Sequence, residues 1–219
     1  MKYYPIYLDI SNKRCTVVGG GDVAERKVER LLHCGARVTV VGKSLSPALE
    51  VLKAGRRIEH IAADYRRKHV EGSFLVIGAT DSPEVNERVC QDARKEGILV
   101  NIVDDSDRCD FILPSLMERG DLSIAVSTGG RSPALARKMR TELEQIYGPE
   151  YGVLLRIMGV LRERVLNRGE APEVNRGIFE AVVNTPDILE KIRQKDWKGV
   201  KNRIRDLTGE AIDIFDTGE

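Results

Sequence analysis

The stretch CTVVGGGDVAERKVERLLHCGARVTVVGKS, Cys15 to Ser44, decides the fold. CTVVG is rich in β-branched residues, as a strand buried on both faces of a parallel sheet should be. Behind the glycines, VAERKVERLLHC places Val23, Val28, Leu31 and Leu32 on one helical face, and Gly35 suits the position just past the helix end. RVTVV is the next strand. Together these make a βαβ unit of about 30 residues, the setting in which a glycine motif carries information about a ligand. Gly19, Gly21 and Ala24 fit G-x-G-x-x-A: a first glycine for the tight turn, a second for close approach of backbone to a pyrophosphate, and a small residue for helix packing. The helix N-terminus then faces the phosphates. The alternative is a turn whose glycines serve only the backbone. The acidic residue expected about 20 residues on, to take the ribose hydroxyls, is replaced by Gly42-Lys43-Ser44, so the spacing leaves NAD and NADP both open.

Outward from this unit the alternation continues. IYLDI before it and RIEHI after it read as short strands, SFLVIGAT as a buried strand, and ILVNIV as one more. DSPEVNERVCQDARKEG between the last two is a helix with Asp81 or Ser82 as cap, Pro83 in the first turn and Gly97 as stop. This predicts an α/β protein with an N-terminal Rossmann-like, doubly wound parallel sheet over residues 1–113. FILPSLMERGDLSIAVST then reads as a hairpin around Arg119-Gly120-Asp121. TGGRSPALARKMRTELEQIYGPE is a glycine turn, a Ser132 cap and a helix ended by Gly148-Pro149; hairpin and helix make a segment 114–149. Residues 150–219 show only helical patterns, in YGVLLRIMGVLRERVLNRG, PEVNRGIFEAVVN and PDILEKIRQKDWKGVKNRIRDLTG, and form a small helical domain with a frayed end, EAIDIFDTGE.

Composition narrows the function classes. The 219 residues are 42% hydrophobic and 32% charged, enough for a well-buried core. Lys plus Arg is 35 against 34 for Asp plus Glu, and a net charge of +1 gives no global case for nucleic acid or membrane binding. The four cysteines, Cys15, Cys34, Cys90 and Cys109, form no CxxC or close pair, so neither a zinc motif nor a disulfide framework is indicated. His33, His60 and His69 lack metal-ligand spacing, and no protein metal site is expected. Pro5 and Asp9 interrupt the N-terminus where a signal peptide needs an apolar run, and no run is long enough for a bilayer, so a cytoplasmic protein is expected.

Two further stretches carry chemistry. VNIVDDSDRCDF puts Asp104 and Asp105 at the carboxyl end of a strand, where open α/β sheets bind ligands. A partly desolvated carboxylate there could take a proton while a hydride leaves the substrate. Asp105, Asp107 and Asp110 read as capping and solvation of the loop; for Asp104 both roles stay open. STGGRSPALARKMR gathers Ser127, Thr128, Gly129, Gly130 and the Ser132 cap at a helix N-terminus, with Arg131, Arg137, Lys138 and Arg140 adding positive charge. A polycarboxylate, a phosphate or a nucleic acid would satisfy it, as would ordinary capping beside a solvated basic face.

Taken together, PIYLDI, CTVVGGGDVAERKVERLL, GARVTVV, ATDSPEVNERV, VNIVDDSDRCDFILPS and AVSTGGRSPALARKMR resemble the sirohaem synthase N-terminal family, the precorrin-2 dehydrogenase and sirohydrochlorin ferrochelatase proteins. The likeness runs in register from about Pro5 to Arg140. It implies NAD⁺-dependent oxidation of precorrin-2 to sirohydrochlorin, followed in some members by insertion of Fe²⁺, a chelation substrate and not a resident metal. Asp104 matches the family's base. Gly21, Asp22 and Val23 match the turn on the pyrophosphate, Lys43 and Ser44 match positions near the adenosine, and Thr80 joins Gly19 among the cofactor candidates. The basic segment Ser127 to Ser132 with Arg137 then has a polycarboxylate tetrapyrrole to hold. The family also implies a homodimer built through the segment after residue 113. A chain ending at Glu219 leaves no room for the methyltransferase domain of larger relatives, so uroporphyrinogen methylation is expected from a separate polypeptide. Two alternatives stand beside this: a dehydrogenase with a separate chelatase, and a regulatory Rossmann module that senses NAD(H).

Overall fold

A computed structural model describes residues 2–213. The chain divides into two compact units, Met1–Leu113 and Pro114–Glu219. The first is built from β1 (Arg14–Val18), α1 (Asp22–His33), β2 (Arg37–Val41), α2 (Pro47–Ala54), β3 (Ile58–Ile61), β4 (Leu75–Gly78), α3 (Pro83–Lys95) and β5 (Leu99–Ile102). The strands form one sheet in the order β3-β2-β1-β4-β5, every pairing parallel. This is the doubly wound sheet that the alternating pattern predicts. The chain order reverses direction between β1 and β4, and in such sheets ligands bind outside the carboxyl ends at that switch.

Both faces of the sheet are covered. Val17, Val38, Val40 and Ile77 pack on one face with Ala24, Val28 and Leu31 of α1 and Leu49 of α2. Val18, Val41, Val76 and Val100 pack on the other with Val89, Cys90 and Ala93 of α3. Each buried aliphatic side chain contributes roughly 1.5–3 kcal/mol, so a strand filled on both faces holds its place strongly. Helix α1 ends in a Schellman turn: the Ala36 N–H donates to the Leu31 carbonyl at 3.0 Å and Gly35 to Leu32 at 3.0 Å, with Gly35 at φ +75.

The structure corrects the local reading in four places. IYLDI forms no strand: β1 already has β2 and β4 as neighbours, Pro5 lacks a donor, and only Ile10 is buried while Ile6, Tyr7 and Leu8 are exposed. A helix, α2, stands where the pattern predicts no element; the Ser46 hydroxyl accepts from the Leu49 N–H at 3.3 Å, and Leu49 is fully buried. The last helical pattern is two helices, α7 (Pro186–Arg193) and α8 (Trp197–Thr208), broken at Lys195, which sits at φ +56. Of the end expected to fray, Glu210 takes the Arg168 guanidinium, Ile212 is buried, and Asp213 pairs with Lys201 at 2.9 Å. The rest of that stretch, 214–219, lies outside the described residues.

The second unit opens with an antiparallel hairpin, β6 (Ser115–Arg119) and β7 (Leu122–Val126), closed by Gly120 at φ +59 and Asp121. Helix α4 (Pro133–Ile146) lies against the hairpin, and α5 (Glu150–Leu166), α6 (Pro172–Val183), α7 and α8 enclose an apolar core of Ile157, Leu161, Val165, Ile188 and Ile204. Gly152 of α5 meets the hairpin turn so closely that a Cβ there would lie 2.7 Å from the Arg119 carbonyl oxygen. Gly152→Ala is therefore expected to destabilise this unit by about 1–3 kcal/mol, because backbone must move to admit the methyl. Denaturant unfolding followed by fluorescence of Trp197, the single tryptophan, measures it.

Candidate cofactor and active site

The chain leaves β1 through Gly19, at φ +124, whose N–H donates to the Val41 carbonyl at 2.8 Å. A Cβ on Gly19 would stand 2.1 Å from the carbonyl oxygen of Ala79, just past β4. One on Gly20 would stand 2.0 Å from the Ser44 carbonyl oxygen, just past β2, and the Ser46 N–H donates to the Gly20 carbonyl at 2.7 Å. Gly20 is an x in the motif, so the pattern alone misses it; the run of three glycines is its signal. Gly21 differs, because a Cβ there meets nothing within 4 Å. It precedes α1 with no side chain capping the helix, and Ala24 is fully buried. The start of α1 thus has no capping side chain and open space beside Gly21, and these residues fit the pyrophosphate of a dinucleotide. Asp22 is exposed and Val23 half-buried. Glu25, one turn further on, accepts from the Ser46 hydroxyl at 2.6 Å and ties α1 to the start of α2.

Lys43 and Ser44 follow the end of β2. Lys43 is held by Asp64 at 2.9 Å, with both side chains largely exposed. Thr80 follows β4, and its hydroxyl donates to Asn86 Oδ1 at 2.8 Å while Asn86 Nδ2 returns a bond to the Thr80 carbonyl at 2.9 Å. Asn86, buried within α3, shapes this rim and was not singled out from the sequence; a polar residue on the buried face of an amphipathic helix is the sign of such a role.

Past β5 the acidic loop separates by role. Asp105 accepts from the Arg108 N–H at 3.3 Å and pairs with its guanidinium, and Asp110 accepts from the Val100 N–H at 3.1 Å. Asp104 instead stands at φ +61 with an exposed side chain, where partial desolvation was expected. A left-handed non-glycine residue stores about 1–3 kcal/mol of strain, least for the short polar Asp and Asn, and such strain clusters at functional positions. Lys27, half-buried on α1, is the neighbouring cation: burial pushes its ammonium pKa down while the Asp104 charge pushes back up. Cys109 lies in the same loop, its thiol pushed up by burial and donating to the Ile102 carbonyl at 3.2 Å.

In the second unit, the expected collection of donors around Ser127 to Ser132 proves to be largely used internally. The Gly129 N–H donates to the Ser127 hydroxyl at 3.1 Å, Ser132 N–H to the Thr128 hydroxyl at 3.1 Å, and Arg131 N–H to the Thr128 carbonyl at 3.2 Å. Ser132 caps α4 through the Leu135 N–H at 3.2 Å. Gly129 and Gly130, at φ +62 and +83, need glycine for the turn, and nothing lies within 4 Å of where their Cβ atoms would be. Lys138 faces Glu142 at 3.7 Å and Arg140 pairs with Glu144, whereas Arg131 and Arg137 are exposed and make no ion pair among the described residues. Among the described residues no group of three or more His, Cys, Asp or Glu could hold a metal ion, and no helix is long and apolar enough to cross a membrane.

Sheet order, glycine turn and open helix N-terminus define the class: a Rossmann-type domain built for a dinucleotide. Residues 6–115 match the family model described as "Putative NAD(P)-binding", and residues 119–146 match "Sirohaem biosynthesis protein central". The chain belongs to the sirohaem synthase N-terminal family. It is 39% identical to siroheme synthase 1 of Aeromonas salmonicida over 94% of this chain and 44% of that protein. It is 38% identical to the siroheme synthase of Nitrosomonas europaea over 100% of this chain and 46% of that one. The chain thus spans less than half the length of these curated relatives. A solved structure named SirC, precorrin-2 dehydrogenase, has the same fold, with a TM-score of 0.79 at 22% identity over 95% of this chain and 100% of that one.

The glycines separate fold from binding. Gly20→Ala is expected to destabilise the first unit by about 1–3 kcal/mol, since its methyl meets backbone. Gly21→Asp is expected to leave the melting temperature unchanged, because Asp is a favoured N-cap, and to weaken NAD⁺ binding by about tenfold or more through repulsion of the pyrophosphate. Calorimetric titration beside thermal melts checks both.

Proposed function

We propose that this chain oxidises precorrin-2 to sirohydrochlorin with NAD⁺, and that it then places Fe²⁺ in the product to make sirohaem. The observation that carries the reading is the pairing, in one Rossmann unit of this family, of an open glycine turn with a strained, exposed carboxylate at the end of β5. The names printed for the relatives and the shared fold support it.

The dinucleotide, when bound, supplies the hydride acceptor. The rest falls to the chain. Gly19, Gly20 and Gly21 keep the turn bare, the amides at the start of α1 hold the pyrophosphate, and Lys43, Ser44 and Thr80 line the rim. As the substrate loses a hydride it must also lose a proton, and Asp104 accepts it in this reading. In metal insertion two ring N–H protons leave as the cation enters, and the same carboxylate takes them in turn; the ring nitrogens are the ligands, so no protein metal site is required. Arg131 and Arg137, exposed in the second unit, carry the charge that a polycarboxylate attracts.

Asp104→Asn preserves size and backbone tolerance while removing the base. It is expected to lower the oxidation rate by about 10²–10⁴-fold with NAD⁺ binding intact. Anaerobic incubation with precorrin-2 and NAD⁺, followed by Fe²⁺ or Co²⁺, reads both steps in the visible spectrum. Turnover retained by the variant sinks the assignment, and oxidation without metal insertion by the wild type reduces the reading to a dehydrogenase alone.

Leu135, Met139 and Ile146 are exposed along one side of α4, an apolar stripe that a lone helix does not normally leave open. We assign it to a homodimer interface within segment 114–149. Met139→Asp is expected to shift the mass in light scattering from dimer to monomer; a wild type already monomeric at high concentration would refute it.

A further inference from the structure

Gly42 closes β2 where a Rossmann domain usually carries the acid that accepts from the adenosine ribose. The neighbouring strand supplies a carboxylate instead. β3 runs parallel to β2, with Val41 beside Ile61, and the Gly42 N–H donates to the Ile61 carbonyl at 3.1 Å. The two segments therefore leave the sheet side by side. The His60 ring holds the same exit through its Nε2 contact with the Gly42 carbonyl at 2.9 Å. Lys43 from one segment and Asp64 from the other then meet at 2.9 Å. The next residue, Ser44, has its carbonyl oxygen 2.0 Å from where a Gly20 Cβ would be, so the pair stands on the loop that backs the glycine turn.

We propose that Asp64 is the ribose-side acid of this chain and that, with Lys43 tied to it, it selects the dinucleotide lacking a 2′-phosphate. The inference rests on the dinucleotide reading of the glycine turn. A ribose diol can donate to the Asp64 carboxylate. A 2′-phosphate brings about two negative charges against that carboxylate and finds Lys43 already paired with it. Both side chains are largely exposed, at 72% and 76%, so the pair matters little to folding and is open to a ligand.

The test is direct binding of NAD⁺ and NADP⁺ to the full chain by calorimetric titration, for wild type, Asp64→Asn and Lys43→Gln, at low and high salt. Wild type is expected to prefer NAD⁺. Asp64→Asn shifts the affinity ratio toward NADP⁺ by about fivefold or more at low salt, the size of one exposed charge interaction, and less at high salt. Lys43→Gln shifts it the other way, and neither variant changes the unfolding midpoint. A wild-type preference for NADP⁺, or an Asp64→Asn ratio equal to wild type, overturns the role of Asp64 alone. Binding of neither dinucleotide by wild type overturns the glycine-turn reading with it.

Discussion

No side chain can stand at Gly19 or Gly20, because the carbonyl oxygens of Ala79 and Ser44 already occupy the places where a Cβ would go. That steric constraint joins three strand ends. It brings the exit of β1 against the segments after β4 and β2, at the switch point of the sheet, and so leaves the start of α1 uncovered. The buried valines on both faces hold the strands in register, and Ala24 lets α1 lie close. Bulk at either glycine would push α1 off the sheet and close the space that Gly21 keeps open.

Charge is distributed on the same logic. Most ionic side chains near the two candidate regions are spent on local structure: Asp105 and Asp110 on the loop after β5, Lys138 and Arg140 on the surface of α4. The remainder stand out by contrast. Asp104 is held in a left-handed conformation with the half-buried Lys27 as counter-charge, and Arg131 and Arg137 are exposed and make no ion pair among the described residues. Of the four aspartates in seven residues, Asp105 and Asp110 are spent on the loop, and of Asp104 and Asp107 it is Asp104 that directly follows the strand end and takes the left-handed backbone.

Much of the fold was legible because its signals are local. The βαβ unit around Cys15 to Ser44, the Ser132 cap, the hairpin at Gly120 and the strand nature of LVIG and LVNI all follow from periodicity and turn chemistry within a few residues, and of Asp81 and Ser82 it is Ser82 that caps α3. The failures were of another kind. IYLDI has a strand's composition but buries only Ile10, and α2 is too short for its pattern to carry weight until Leu49 meets the core. The glycines of the STGG turn were visible, but that its amides are spent on Ser127 and Thr128 was not.

The sequence by itself determined the order and type of most elements, the glycine turn and the family, since these depend on residues near one another along the chain. Only the tertiary structure decided which groups remain available for chemistry. A side chain at Gly20 would meet backbone as one at Gly19 would, Lys43 meets Asp64 across two strand exits, and Lys27 comes within electrostatic reach of Asp104. Each depends on contacts between residues twenty or more positions apart, which exist only once the sheet has set its strand order.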